Sequence, residues 1–401
     1  MKGTKYLSDV LDVSQLRTGE LNIIDAPCGC GKTTCAINKI AELASSPRKV
    51  LYLIDTRIGK ERLAREPGLI KPCVFIDGPL DGEPWEKKLV YELRQEKIPV
   101  MTYALFGILC SDSPDFIKRF EIIICDEPQS LVFFSKIGNV KPNEIDAHKA
   151  ALSAICKNVY RGKILFVAIT ATPQPLDAMK CIKRNVPIDR TDLRHYEERE
   201  TIPYARIEDV LNVIHPGQRG GLYAQHVHTL IKYGKMLQDR GFHPLILWSK
   251  NYEIPLNAEQ LAAWNHIIEY EEIPEEYDVF LFNATAETSI NIRSHMDFFI
   301  AHNTGETHVT QSRGRYRGDL DRLFLYDPSG PCAIVVPDSF LNRPLFRKDL
   351  KKLRDYLKLP KDAKGHPPSI DNMLRQISDN NYSYEEEIHQ RKKIIVIRKN
   401  L

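Results

Sequence analysis

Short apolar runs recur along the first half of the chain, each ending in polar residues and leading into a stretch with helical spacing. Residues 21–24, 50–54, 100–105, 122–125 and 164–169 are such runs. Runs of this length without regular polar alternation suit strands buried on both faces, as in a parallel sheet covered by helices. The alternation continues to about residue 195 and predicts an α/β domain. Residues 183–200 are charged and poorly periodic, and predict a crossing between domains. A second α/β unit is expected from near Ile207. It has strand runs at 221–225, 244–248, 279–282 and 323–326, a helix from about 226 to 240, and a helix over 257–270 with Leu261 and Ile267 among its buried candidates. The pattern divides the chain into 1–195, 196–335 and 336–401.

The first run leads into the most specific signal. After Asp25 come Ala26-Pro27-Cys28-Gly29-Cys30-Gly31-Lys32-Thr33-Thr34, then a helix-like stretch from Cys35. Strand, loop and helix in that order, with Gly31-Lys32-Thr33 at the right spacing, make a phosphate loop in which Ala26 takes the first glycine's place. The loop from Pro27 to Thr34 would wrap the phosphates, with the backbone N–H groups from Cys28 onward facing phosphate oxygens, helped by the helix N-terminus. Lys32 would reach the β- and γ-phosphates of a bound nucleotide, and the Thr33 hydroxyl would hold Mg²⁺.

Two later strand ends carry matching chemistry. The run at 122–125 ends in Asp126-Glu127, at the carboxyl end where open α/β sheets bind ligands. Asp126 is expected to hold the hydrated Mg²⁺. Glu127 points elsewhere and is the candidate to accept a proton from attacking water. The run at 164–169 ends in Thr170-Ala171-Thr172, whose hydroxyls could sense a γ-phosphate.

With these three segments in order, the chain resembles the superfamily 2 helicase and translocase ATPases. In that family a phosphate loop, a DExH/D-type box and an (S/T)AT motif follow one another. The box here reads Asp126-Glu127-Pro128-Gln129, with Gln129 in place of the usual His or Asp. The resemblance implies that Gln129, Thr170 and Thr172 couple hydrolysis to movement. It also extends to Gln311-Ser312-Arg313-Gly314-Arg315-Tyr316-Arg317-Gly318, which is similar to the family's QxxGRxxR motif. Gln311 and Arg315 fall in register, whereas the last arginine's place is taken by Gly318 and Arg317 lies one residue early. Either Arg315 or Arg317 would therefore be the finger that stabilises transition-state charge. Residues 283–292 resemble the family's T…EGIN segment, implying that Thr285 touches nucleic-acid backbone and that Ser289 and Asn291 lie near the nucleotide. Arg57, after the run at 50–54, and Thr102-Tyr103 fall where the family grips phosphates. The implied fold class is α/β, two tandem RecA-like domains with parallel sheets, followed by a small C-terminal α+β module of winged-helix-like type.

Composition refines this picture. A chain of 401 residues exceeds one ordinary core, and 43% apolar residues are enough to build several. The formal net charge of +3 neither demands nor opposes a nucleic-acid partner, since a local groove matters more than the total. Nine scattered cysteines show neither a disulfide framework nor paired zinc-binding spacing, which suggests a reducing, cytoplasmic setting. No signal-peptide pattern and no run of membrane-spanning length is seen. In the tail, 347–354 reads as a basic amphipathic helix and 369–377 as a helix capped by Ser369. A hairpin carrying Arg391, Lys392, Lys393, Arg398 and Lys399 follows, either to clamp phosphates or to cap the second domain.

The expected activity is ATP hydrolysis with Mg²⁺, coupled to translocation on or unwinding of nucleic acid, DNA ahead of RNA, in replication of a phage or mobile element. Two alternatives stand beside it. One is an ATPase that remodels nucleic-acid complexes without unwinding. The other is a P-loop kinase or other non-helicase nucleotide-binding protein.

Overall fold

Seven parallel strands order themselves as β3-β4-β2-β5-β6-β1-β7 in the first lobe of this computed structural model. They are β1 (Leu21–Asp25), β2 (Val50–Ile54), β3 (Cys73–Phe75), β4 (Ile98–Thr102), β5 (Ile122–Asp126), β6 (Leu165–Thr170) and β7 (Lys183–Asn185). The structure describes residues 3–64, 66, 68–78, 85–137, 146–248, 252–283, 290–327, 336–357, 367–378, 382–389 and 392–399. The unbroken apolar runs have the predicted cause. In β2, Leu51 and Leu53 enter one core, while Val50, Tyr52 and Ile54 enter the other. A strand with both faces buried cannot afford a polar face.

Helices cover both faces of this sheet: α1 (Lys32–Asn38) follows the phosphate loop on one face, and α2 (Tyr103–Asp112) lies on the other. Further helices are α3 (Gln129–Ile137), which opens directly after the acidic box, and α4 (Ala147–Arg161). Gly107 permits α2 and α4 to touch: a Cβ there would stand 1.8 Å from the Ala147 carbonyl oxygen.

The second lobe is a six-stranded parallel sheet, β10-β11-β9-β12-β13-β8. Its strands are β8 (Glu198–Tyr204), β9 (Gly220–Ala224), β10 (Pro244–Leu247), β11 (Val279–Phe282), β12 (Phe298–His302) and β13 (Leu320–Tyr326). The expectation that this unit begins near Ile207 is corrected. β8 comes earlier, beginning in the last residues of the stretch read as a crossing. It is an edge strand, half exposed and containing Pro203, so it lacks the apolar run of a central strand. Helix α5 (Val227–Gln238) covers one face, and α6 (Ala258–Tyr270) buries Ala263, Trp264 and Ile267. Leu261 faces outward, contrary to expectation. Helix α7 (Glu306–Arg315) carries the QxxGR segment.

A small third unit packs α8 (Arg347–Leu357) and α9 (Ile370–Ser378) on an antiparallel sheet β14-β16-β15. Its strands are β14 (Pro344–Leu345), β15 (Tyr382–His389) and β16 (Lys392–Lys399). The two RecA-like parallel sheets and this α+β unit are the fold class read from the sequence. Among the described residues, no helix is long and apolar enough to cross a membrane.

Candidate active site

Parallel register places the chemistry at one edge of the first sheet. Asp25 pairs with Thr170 and Asp126 with Ile169, so the phosphate loop, the acidic box and the Thr170 segment leave the sheet side by side. The buried Ala26 donates its N–H to the Thr170 carbonyl at 2.9 Å. A small, tightly packed residue thus serves where a glycine was the usual choice. Gly29 and Gly31 have φ of +87° and +81°, which lets the loop turn its amides inward. Both also lie under aromatic rings. A Cβ on Gly29 would meet the Tyr196 ring at 2.5 Å, and one on Gly31 would meet Tyr6 at 3.1 Å.

Lys32 and Glu127 form the centre. Lys32 Nζ stands 2.9 Å from Glu127 Oε1 and 3.3 Å from the Ala26 carbonyl oxygen. Burial alone would lower the lysine's pKa, but the Glu127 carboxylate overrides this and holds it above its ordinary value. Burial likewise pushes Glu127 upward, and Lys32, Gln129 and Arg315 outweigh it, so the carboxyl stays ionised well below the usual range. Glu127 takes a left-handed backbone conformation, φ +46°, uncommon for a side chain of this size and found at strained functional positions.

The Gln129 and Thr170 side chains meet at that same carboxylate. Gln129, fully buried, donates from Nε2 to Glu127 Oε2 at 2.6 Å. The Thr170 hydroxyl lies 2.9 Å from Glu127 Oε2 and 2.8 Å from Gln129 Oε1, and accepts the Thr172 N–H at 2.9 Å. Thr172 Oγ1 is buried without a partner among the described residues. The amide in the box's fourth position therefore bridges the acidic box to the Thr170 segment.

The second lobe closes the site. Gln311, Gly314, Arg315 and Arg317 line a cavity of about 80 Å³ together with Cys28, Lys32, Thr33, Asp126 and Glu127. Gly314 fits because it has no side chain: a Cβ would stand 2.4 Å from Cys28 Sγ. The two candidate finger arginines differ. Arg317 Nε donates to Asn291 Oδ1 at 3.1 Å, and Asn291 Nδ2 donates to Glu271. Arg315 Nε is buried without a hydrogen-bond partner among the described residues. Beside the cavity is a larger one of about 500 Å³, bordered by Tyr6, Thr34, Arg194, Tyr196, Asn291 and Arg317.

Three contributors escaped the sequence reading. Asp55, just beyond β2, lines the cavity, and its Oδ2 is buried without a partner among the described residues; burial raises its carboxyl to about 6, against the pull of Arg315. The strand-end logic that selected Asp126 applied to it equally. Arg313, 6% exposed, braces α7 by donating to Glu198 Oε1 at 2.7 Å and to the carbonyls of Tyr316 and Gly318. Its carboxylate partner is 115 residues away, so no local signal could reveal it. Tyr196 reaches Gly29 from the crossing between lobes.

Among the expected nucleic-acid contacts, Tyr103 is corrected. It has no exposed surface, and its hydroxyl donates to the Asp126 carbonyl at 3.0 Å, so it supports the acidic box instead. Thr102 is the N-cap of α2, accepting the Leu105 N–H at 3.2 Å. Arg57 opens a helix over Arg57–Ala64, and its side chain lies outside the described residues, as do Thr285 and Ser289.

Residues 6–174 match the family of type III restriction enzyme res subunits. No curated protein matches the chain. Among solved structures, Saccharomyces cerevisiae Dbp5 bound to RNA and ADP BeF3 is similar at 11% identity, over 84% of this chain and 83% of that one, with a TM-score of 0.50. A DEAD box protein from the hyperthermophile Methanococcus jannaschii is similar at 13% identity, over 85% and 87% of the two chains, with a TM-score of 0.38. With the phosphate loop, acidic box, Thr170 segment and QxxGR helix in order on two RecA-like lobes, the chain resembles the superfamily 2 DExD/H-box-like helicase-type ATPases.

Proposed function

We propose that this chain couples ATP hydrolysis to translocation along nucleic acid or to its unwinding. The observation that carries the reading is the shared cavity, where Lys32, Asp126 and Glu127 of one lobe face Gln311 and Arg315 of the other. Phosphates bound along residues 27–34 would compete with Glu127 for the Lys32 ammonium. That competition frees the Glu127 carboxylate to take a proton from water. Gln129 and Thr170, both bonded to this carboxylate, would pass the change to Thr172. Asn291 would stand near the nucleotide through Arg317.

Thr33 and Asp126 supply oxygen donors in this cavity, the ligand type that Mg²⁺ takes. No group of three or more His, Cys, Asp and Glu among the described residues could hold a metal alone. That suits an ion which completes its shell with phosphates and water. When bound there, Mg²⁺ would neutralise charge on the phosphates. Arg315 would add charge from the second lobe, so hydrolysis would depend on lobe closure.

The proposed track is the phosphate backbone, gripped by Arg57, Thr102 and Thr285. Backbone contacts do not select bases. The Dbp5 structure holds RNA. DNA, in cytoplasmic replication of a phage or mobile element, is the setting proposed for this chain.

Glu127→Gln tests the site. ATP binding should persist while turnover falls by about a hundredfold to ten-thousandfold. Undiminished turnover would remove Glu127 from the chemistry.

A further inference from the structure

A concentration of positive charge lies outside the cleft, on α8. Within Arg347–Leu357, five cations stand against Asp349 and Asp355, a net of +3. That equals the formal net charge of the whole chain, so the remaining residues sum to zero. Leu350, Leu353 and Leu357 are buried in the small unit's core, which fixes the opposite side of the helix outward. On that side Arg347, Lys348, Lys351 and Lys352 are all exposed, in two i,i+4 columns along successive turns. None of these four has a carboxylate partner among the described residues. Exposed rings stand near both ends, Phe346 at 43% and Tyr356 at 49%.

Four like charges on adjacent turns repel one another and weaken the helix. A polyanion would remove that cost. The surface is also held in place: Arg206, which begins the segment after β8, donates from Nη1 to the Leu357 carbonyl at 2.8 Å. This ties the end of α8 to the second lobe. The hairpin, the sequence-based candidate for a clamp, is less suited. Arg398 pairs with Glu385 at 2.5 Å, and Glu386 is exposed beside it. Arg391 and the side chains of Lys392, Lys393 and Lys399 lie outside the described residues.

We propose that the outer face of α8 is a second nucleic-acid site, which binds the phosphate backbone through Arg347, Lys348, Lys351 and Lys352. It rests on the motor reading only in taking the same polymer as the cleft. Four cations paired with four phosphates would release four sets of counterions. They would contribute about 2.8 to the slope of log K against log salt for a single strand, or about 3.6 for a duplex.

The test is oligonucleotide binding by the full chain from 50 to 200 mM salt, using single-stranded DNA, duplex DNA and RNA, with polyglutamate as competitor. The variant changes Arg347, Lys348, Lys351 and Lys352 to Gln, alongside Lys351→Gln alone. The fourfold variant should bind at least about tenfold more weakly at 50 mM salt, with a slope about 3 smaller. The single variant should lose about 0.7 to 0.9. Basal ATPase activity should be unchanged, and the melting temperature should not fall, since the substitutions remove like-charge repulsion along the helix. The same slope in wild type and both variants overturns the proposal. So does polyglutamate binding that is tighter than oligonucleotide binding and lost in the variant, which would assign the face to an acidic protein. If the slopes shift while ATPase activity ignores every polymer, the site on α8 stands and the motor reading fails.

Discussion

Arg315 and Arg317 stand two residues apart, and their partners give them different tasks. Arg317 is committed to Asn291, which in turn is held by Glu271. Arg315, in the cavity that contains Lys32 and Glu127, keeps a buried Nε with no partner among the described residues. A guanidinium nitrogen desolvated without a partner is costly, and a γ-phosphate would relieve that cost. These partners favour Arg315 as the proposed finger. Arg315→Ala should lower kcat by about a thousandfold or more with little change in nucleotide affinity. Arg317→Ala should chiefly raise KM, by loosening Asn291. Steady-state kinetics with ATP and saturating nucleic acid separates the two, and equal kcat losses would withdraw the assignment.

At the scale of elements, we propose that the fit of α7 against the phosphate loop sets lobe spacing. The Gly314–Cys28 contact leaves no space for a methyl group. Gly314→Ala should hold the lobes apart and reduce kcat, and adding Cys28→Ala should restore part of it. Failure of the double variant to recover would mean that the contact does not set lobe spacing. Much of this arrangement was legible in the sequence, because both-faced burial writes β1, β2, β5 and β6 as apolar runs and each active loop follows one of them. β8 was not legible, since an edge strand with one solvated face has no such run. Asp55 was legible by the same strand-end logic and was overlooked. The roles of Arg313 and Tyr196 depend on partners distant in sequence, to which periodicity is blind. Tyr103 misled because a strand-end hydroxyl looks alike whether it meets phosphate or a backbone carbonyl.

For the whole molecule, the central matter is what drives closure. The ionised Lys32–Glu127 pair is a resting contact within one lobe, while Arg315 belongs to the other. On the proposed mechanism ATP alone would break the first contact, whereas bringing Arg315 onto the phosphate would also require the lobes to stay together. A polymer bridging both lobes, with α8 as an added grip, would favour the closed arrangement and so raise turnover. The most direct measurement is the steady-state ATPase rate without nucleic acid and with single-stranded DNA, duplex DNA or RNA. Strong stimulation by at least one polymer, lost in Arg315→Ala, is the predicted result and would identify the track. A rate indifferent to all three polymers would contradict the account.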